Sequence, residues 1–491
     1  MKGILSLVAA AAVIASMASC SSETDFEGKT SQEDQVSTPV NFGSYLAQSK
    51  MTRAGESTPA SSVMTNTELQ AKGFGVVAFY TGKDEYTSGK TNIEPNFMYN
   101  TQVHTAQWTY SPIVYWPNSG QNQGSTSNGD AQQYVSFFAY APYKAVNTTS
   151  GDNNNGKATD NATTGVTALS KNDATGDPTV SYALGATGAD ADLLWGTAGT
   201  NGSTTSGTEA QAGTTFTGGK AAVNANLSKM KVGGKVQFNF KHALAKFGGP
   251  GTTTDNKTSG LMVVADIDDG TATTGGSLDG NTKITVKSIK IESVIKGSDG
   301  NMATEASIPT SGTLNLATGV WTTSETNMGK IDYEITSPAA TATDGATKQT
   351  LNEAIAEPAS VSSWNDLSSV TGVTTTPQIV YTETTPLLII PDGKNRTFRI
   401  TIDYIVRTKN ESLHKGYTEV EQSFYKDLTL NNVSLNAKYN LLIHLGLTSV
   451  KFDATVSDWA NTANGGTTSD TSTDKDPMVI DMPANVAASS N

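Results

Sequence analysis

Short segments with strand periodicity recur along almost the whole chain, and they constrain the fold more than any other feature. In KVQFNFKH, Val236, Phe238 and Phe240 alternate with polar residues, as expected of a strand with one buried face. Five more segments are rich in β-branched and aromatic residues: FGVVAFYT (74–81), WTYSPIVYWP (108–117), YVSFFAYAPY (134–143), KITVKSIKIESVI (283–295) and TFRITIDYIVR (397–407). The best candidate for a helix is short, TLNEAIAEPA (350–359). The pattern predicts an all-β chain of antiparallel sandwiches.

Long tracts with few apolar residues separate these segments. They are rich in Gly, Thr, Ser and Asn, and they cover residues 118–131, 147–177, 197–219, 251–256 and 461–475. Because such tracts bury too little apolar surface to offset the entropy of ordering them, we predict that they are mobile insertions.

Length and charge limit the domain number and the partners. The chain has 491 residues and a net charge of −13, with only 16% charged residues. This length suits two domains. We place them at 54–326 and 327–460, followed by a tail at 461–491, with a break near Ala225 as the alternative boundary. The acidic balance argues against nucleic acid or an anionic lipid surface as partner.

The amino terminus indicates export. Residues 1–19 combine a basic Lys2, an apolar run and small residues, as in a secretory signal peptide. The sequence MASC resembles a bacterial lipobox, which predicts that Cys20 is lipidated; an ordinary signal peptide with an incidental cysteine is the alternative. Since Cys20 is the only cysteine of the chain, no disulfide is expected in the exported protein.

A catalytic or metal site is not evident in the sequence. The four histidines, His104, His242, His414 and His444, are scattered without ligand spacing, and there is no nucleophile elbow or phosphate-binding loop. We interpret His242, which ends an alternating strand, as a packed histidine. The sequence therefore predicts no enzyme, no cofactor and no metal, although a carboxylate pair for glycoside hydrolysis or a tryptophan platform for sugar stays open.

One arginine stands apart from the others. Arg53 lies in the polar stretch AQSKMTRAGES (47–57), whereas the other three arginines all lie within 396–407. An isolated basic residue in such a stretch is a target for a trypsin-like protease, or simply a solvated charge. Lys50 leaves a lysine-directed cut open as well.

Several blocks together resemble a known family. The lipobox is followed in order by TRAG (52–55), FGVVAFYT, WTYSPIVYWP, VSFFAYAPY, DLLWG (192–196), FNFKHALAKF (238–247) and KFDATVSDW (451–459). This order resembles the Bacteroidales fimbrillin superfamily, the FimA and Mfa type of pilus subunits, from about Cys20 to Trp459.

The resemblance implies how the chain folds, how it is processed and how it assembles. It implies two transthyretin-like β-sandwich domains, export to the outer membrane as a lipoprotein and adhesion through a fimbria on the cell surface. It also implies that an arginine-specific protease removes 20–53, so that Ala54 becomes the amino terminus, and that strand exchange joins the chain to other fimbrial subunits. Because the family includes anchors and tips, such a role, or that of a non-polymerising adhesin or glycan-binding lipoprotein, is the alternative.

Two segments then acquire roles as strands. QVSTPVNFGSYLA (35–47) carries Val36, Val40, Phe42, Tyr45 and Leu46 on an otherwise polar segment, and it is predicted to lie in the first sheet as a strand until the cut removes it. At the other end, PMVIDMP (477–483) places Met478, Ile480 and Met482 on one phase and Val479 on the other. We predict that this tail is the donor strand that fills the emptied groove; pairing within its own domain, or disorder, is the alternative.

Overall fold

The computed structural model describes the greater part of the chain from Thr38 onward. The described residues are 38–46, 64, 66–89, 92–117, 133–185, 188–198, 215–216, 219–220, 223–227, 229, 235–247, 260–265, 280–296, 302–304, 307–337, 347–381, 387–447, 450–458 and 478–480. The leader, Cys20, Arg53, Ala54 and Met482 lie outside these residues.

The first sheet has seven strands. They are β1 (Asn41–Leu46), β2 (Phe74–Gly82), β3 (Met98–Val103), β4 (Tyr134–Ala141), β7 (Leu194–Ala198), β10 (Asn224–Leu227) and β11 (Lys235–His242). Their order is β1-β11-β7-β4-β2-β3, and β10 pairs with β4. The predicted upstream strand therefore exists, as β1, and it lies at the end of this order next to β11.

A second sheet packs on the first. It contains β5 (Gly165–Leu169), β6 (Thr179–Ala183), β17 (Ser311–Asn315) and β18 (Trp321–Thr323), in the order β18-β17-β6-β5. One apolar core joins residues from both sheets, among them Val77, Trp195, Tyr182 and Leu314. Because the opposite face of the first sheet carries a core of its own, β2 is buried on both faces, as its continuous apolar run indicates.

The third and fourth sheets share another core. The third contains β12 (Ala245–Phe247), β13 (Leu261–Ala265), β22 (Gln378–Ile379), β23 (Leu387–Ile389), β26 (Ala437–Leu445), β27 (Val450–Asp458) and β28 (Met478–Ile480). The fourth contains β14 (Thr282–Lys296), β15 (Met302–Thr304), β20 (Asp332–Thr336), β21 (Thr347–Thr350), β24 (Arg396–Lys409) and β25 (Tyr417–Leu430). Residues of both sheets, such as Ile443 and Ile400, form this core.

The remaining described elements are small. Two two-stranded sheets are formed by β8 (Thr215–Phe216) with β9 (Gly219–Lys220) and by β16 (Ile308–Pro309) with β19 (Met328–Gly329). Helix is limited, among the described residues, to α1 (Asn66–Lys72) and 3-10 turns at Gly188–Ala191 and Trp364–Leu367. The all-β prediction is confirmed, but the sheets are mixed, because β1–β11, β12–β26, β13–β26 and β20–β21 pair in parallel.

Two segment predictions are wrong. Residues 350–359, predicted as a short helix, form turns instead, in which Ile355 is buried and Ala356 makes a parallel bridge to Val286. Residues 108–117, predicted as a strand, are irregular and contribute only isolated bridges. Pro112 and Pro117 lack an N–H, which limits the ladder that this segment can form.

The tract at 147–177 is also ordered where mobility was predicted. It contains β5, and polar side chains fasten its turns. The Asp173 carboxylate accepts hydrogen bonds from the Gly151 N–H at 2.7 Å and the Ser150 hydroxyl at 2.8 Å. The Asn155 amide donates to the Asn172 Oδ1 at 2.8 Å. Asn and Asp side chains stabilise turns in this way without a large apolar core.

Strand pairing crosses the predicted boundary at Asn327. β14 pairs with β20 and β24, and both of these partner strands lie beyond Asn327. The chain passes from the first sheet to the third between β11 and β12, that is, after His242 and before Ala245. The division into two domains stays a prediction.

Candidate functional site

Residues 38–46, which end in β1, are held by main-chain hydrogen bonds on both sides. On one side β1 runs parallel to β11, with Asn41 opposite Lys235 and Leu46 opposite Phe240. On the other side, residues 110–116, which we call the covering segment, pair with the residues just before β1. The Val40 N–H donates to the Val114 carbonyl, and the Trp116 N–H donates to the Thr38 carbonyl, both at 2.9 Å.

Phe42 anchors β1 in an aromatic pocket. Its side chain is 1% exposed. The centroid of its ring lies 5.3 Å from that of Tyr110, 6.0 Å from Phe137, 6.2 Å from Phe238 and 6.3 Å from Phe74. Aromatic pairs at these separations add to the free energy gained by burying the ring. Phe42 is therefore an aromatic anchor of β1 in the first sheet.

Tyr110 joins the covering segment to β1. Its hydroxyl donates to the Val40 carbonyl at 2.8 Å and accepts from the Val114 N–H at 3.3 Å. Burial raises the pKa of Tyr110, although a hydrogen bond with the Val114 backbone opposes the shift. The hydroxyl therefore stays neutral and able to donate at ordinary pH.

Three buried polar atoms at β1 are not paired within the described part of the chain. They are the Ser44 hydroxyl, the Trp116 indole nitrogen and the Gln237 amide oxygen. Buried polar atoms usually have a hydrogen-bonding partner, and an unpaired one costs free energy. β1 fills the apolar part of its groove, but it does not satisfy every polar atom there.

Loss of the Tyr110 hydroxyl should loosen β1 without emptying the groove. Tyr110→Phe keeps the ring on Phe42 but removes one hydrogen bond to Val40, which is worth about 1 kcal/mol. We expect amide exchange in 40–46 to become roughly fivefold faster. Tyr115→Phe is the matched control, because Tyr115 is 50% exposed and its hydroxyl should not affect β1. Equal exchange rates in the two variants would contradict this role for Tyr110.

A buried carboxylate fixes the chain on the other side of Arg53. Met64 is the next described residue after β1, and its N–H donates to the Asp192 Oδ2 at 3.1 Å. Asp192 is fully buried, and its Oδ2 lies 2.9 Å from the Nδ1 of His242. His242 is 7% exposed, so the interpretation of a packed histidine is confirmed. In sequence, the predicted cut lies between two anchored segments, β1 and Met64.

The predicted donor residues form a strand that pairs within the chain. Met478, Val479 and Ile480 make up β28, which runs antiparallel to β27 with Val479 opposite Asp453. This pairing covers three residues, whereas β1 is paired with β11 over six. Self-pairing was the alternative to a donor role, and the structure shows it; Met482 lies outside the described residues.

The other predicted features can be placed as well. The three arginines besides Arg53 lie in β24, where ladders to β14 and β25 flank them. In the described ranges, no group of three His, Cys, Asp or Glu side chains is arranged to hold a metal ion. None of the described helices is long and apolar enough to span a membrane.

The fold and the groove define a class: a β-rich protein whose first strand, upstream of an isolated arginine, completes an aromatic core. In sequence, 84 residues (16% of this chain) are 33% identical to the fimbrium subunit Fim1C of Phocaeicola vulgatus. The matched part covers only 19% of that relative. No family model matches the chain.

The fold comparison covers much more of the chain. The structure is similar to the crystal structure of a fimbrial protein from Bacteroides vulgatus, with a TM-score of 0.50 and 17% sequence identity. The similarity covers 86% of this chain and 99% of that one. Together the two comparisons confirm the resemblance to Bacteroidales fimbrial proteins. Neither relative is named as an enzyme, in agreement with the non-enzymatic function predicted here.

Proposed function

We propose that the chain is a structural subunit of a cell-surface fimbria that supports adhesion. In this proposal it is exported as a lipoprotein through Cys20, cut after Arg53 and polymerised by donor-strand exchange with other fimbrial subunits. Its sheets group into two transthyretin-like domains, the first around β1 and β11 and the second around the third and fourth sheets. The observation that carries the proposal is that β1, upstream of Arg53, fills an aromatic groove of the first sheet.

Loss of β1 would leave a surface that requires a new occupant. The edge of β11 would present unpaired N–H and C=O groups, and the pocket around Phe238 would open to water. Both changes cost free energy, since unpaired main-chain groups and exposed apolar side chains are unfavourable at a sheet edge. A strand from another chain restores both kinds of contact by β-augmentation.

Strand donation between copies produces a filament. If each subunit gives a strand to one neighbour and accepts a strand from another, the contact joins different surfaces and does not close on itself. Such a contact generates a linear polymer, which is the form of a fimbria.

Two features of the tail suit a donor strand: the phase of its apolar residues and its short pairing with β27. Met478, Ile480 and Met482 share one strand phase, as do Val40 and Phe42, which fill the groove in the structure. Because β28 is paired over only three residues, its release from β27 breaks few main-chain hydrogen bonds. The same strand can therefore leave its own sheet and pair with β11 of the next subunit.

The cut is tested by amino-terminal sequencing of material sheared from cells. Wild-type protomers should begin at Ala54, whereas Arg53→Ala should accumulate a lipidated precursor and give no fibres. Lys50→Ala is the matched control, and its protomers should still begin at Ala54. Unchanged fibres in the Arg53→Ala variant would exclude a role for this cut.

The donor is tested by deletion of 477–491. We expect the shortened chain to be matured normally but to stop elongation, because the emptied groove receives no strand. Long fibres from the shortened chain, seen by electron microscopy, would exclude this donor. Lipidated, monomeric wild-type protein that begins at Cys20 would instead favour a binding lipoprotein.

A further inference from the structure

We propose that the cut after Arg53 does not by itself empty the groove. The inference rests on the proposed function and concerns its regulation. Residues 38–46 remain bound to the cut subunit as a non-covalent peptide until a strand from another copy displaces them. The cut therefore makes exchange possible, and displacement completes it.

The contacts described for this peptide are made by residues 38–46, all of which lie upstream of the cut. β1 ends at Leu46, so a break after Arg53 removes none of the hydrogen bonds described for 38–46. The parallel ladder with β11, the two bonds to the covering segment and the bond from Tyr110 to Val40 all stay in place. A cut at a distant end leaves these hydrogen bonds intact. The peptide therefore stays bound along both of its edges.

Side chains of residues 38–46 also hold the peptide in its groove. Val40 and Phe42 are 0% and 1% exposed, and both belong to the apolar core on this face of the first sheet. The ring of Phe42 is in contact with four other aromatic rings, so its departure exposes apolar surface on both the peptide and the groove. Release without a replacement is therefore unfavourable.

What the cut changes is the effective concentration of β1. In the intact chain β1 is tethered to its groove, and its effective concentration is on the order of millimolar or more. After the cut, a peptide that dissociates is diluted, and a competing strand can occupy the groove. The unpaired Trp116 and Gln237 atoms stay in the groove and are polar groups that a different strand can satisfy.

Retention of the peptide has a consequence at the cell surface. Cys20, the predicted site of lipid, lies on the same side of the cut as β1. A cut subunit that still holds its peptide therefore stays anchored to the membrane through Phe42 and its pocket. Subunits would leave the lipid anchor only when they exchange strands. Subunits that have not polymerised are therefore not released from the cell surface.

The test uses the full-length precursor, purified in detergent and cut with an arginine-specific protease. Size-exclusion chromatography followed by mass spectrometry reports whether the fragment that ends at Arg53 elutes with the remainder of the chain. We expect co-elution of the two pieces and loss of the fragment when a synthetic peptide of residues 477–491 is added in excess. Separation of the fragment in the first column run, without added peptide, would overturn the inference.

Two variants identify the side chains that retain the fragment. Phe42→Ala should release the fragment at least about a hundredfold faster, as expected for loss of a buried aromatic side chain. Asn41→Ala, on the outward phase of the same strand, should release it at the wild-type rate. If Phe42→Ala fails to fold, Tyr110→Phe in the body should still accelerate release severalfold. Equal release from the wild type and from these groove variants would also overturn the inference.

Retention of the fragment can be tested independently of the proposed polymerisation. Retention of the fragment is measured on single subunits and does not require polymerisation. If the fragment is retained and then displaced by the 477–491 peptide, but no multimers form from full-length chains, polymerisation fails while the inference stands. If multimers form although the fragment leaves at once, the inference fails while polymerisation stands.

Discussion

A precursor that carries Phe42→Asp should form multimers without being cut. The Phe42 side chain is buried among aromatic rings, and a carboxylate placed there costs several kcal/mol because the pocket offers no charge partner for it. β1 should therefore leave its groove while it remains covalently attached. The tail of another copy can then occupy the groove. Heat-labile multimers in denaturing gels are the expected readout.

Three companion variants make this result specific. Adding Arg53→Ala removes the cut and should leave the multimers unchanged. Deleting 477–491 should abolish them, which separates strand exchange from non-specific aggregation. Asn41→Asp places the same charge on the outward phase of β1 and should leave the precursor monomeric. Phe42→Asp protein that stays monomeric, with 41–46 still protected from amide exchange, would contradict the blocking role of β1.

Arg407→Ala should strongly destabilise the sandwich of the third and fourth sheets. Arg407 is 4% exposed, and its guanidinium binds both oxygens of Glu357, at 2.7 and 2.9 Å, and one oxygen of Glu419 at 2.6 Å. Burial lowers the pKa of Arg407, but the pairing with these carboxylates outweighs burial and raises it. Removing one partner of a buried ion pair costs about 3–5 kcal/mol. Because the remaining Glu357 and Glu419 are 15% and 35% exposed, we expect a loss toward the lower end of that range.

The measurement is urea unfolding followed by fluorescence. We expect the midpoint of Arg407→Ala to fall in proportion to that loss, with a similar slope. Arg399→Ala is the matched control on β24. Arg399 is more exposed than Arg407 and pairs with one carboxylate, Asp427, instead of two, so its removal should lower the midpoint less. Similar midpoints for the two variants would contradict the large contribution to stability that we assign to Arg407.

The elements that the sequence predicts best are those whose pattern follows directly from burial. β11 buries Val236, Phe238 and Phe240 and leaves their neighbours partly exposed, so alternation identifies it. β1 is predicted as well, from the apolar residues of the otherwise polar segment 35–47. Its partner and its direction are not, because parallel pairing with a strand almost two hundred residues away in the chain leaves no local signal.

The elements that were missed have local patterns that tertiary contacts override. Residues 108–117 look like a strand, but the hydrogen bonds of Val114 and Trp116 to the chain before β1 occur without a regular ladder. The covering segment, and with it the hydroxyl of Tyr110, therefore could not be assigned to the groove. The tract at 147–177 was predicted to be mobile because it is polar, yet hydrogen bonds to Asp173 and Asn172 order it.

The most direct measurement of strand exchange is a change of cross-linking partner for Val479. In the unassembled precursor Val479 lies opposite Asp453 of its own chain, so a Val479→Cys/Asp453→Cys pair should form an internal disulfide. In fibres that assemble under reducing conditions and are oxidised afterwards, so that no internal disulfide holds the tail on β27, Val479→Cys should instead cross-link to Gln237→Cys on β11 and give a ladder of covalent multimers. An internal 453–479 disulfide that persists in mature fibres, without any 237–479 ladder, would contradict the exchange of this strand between subunits.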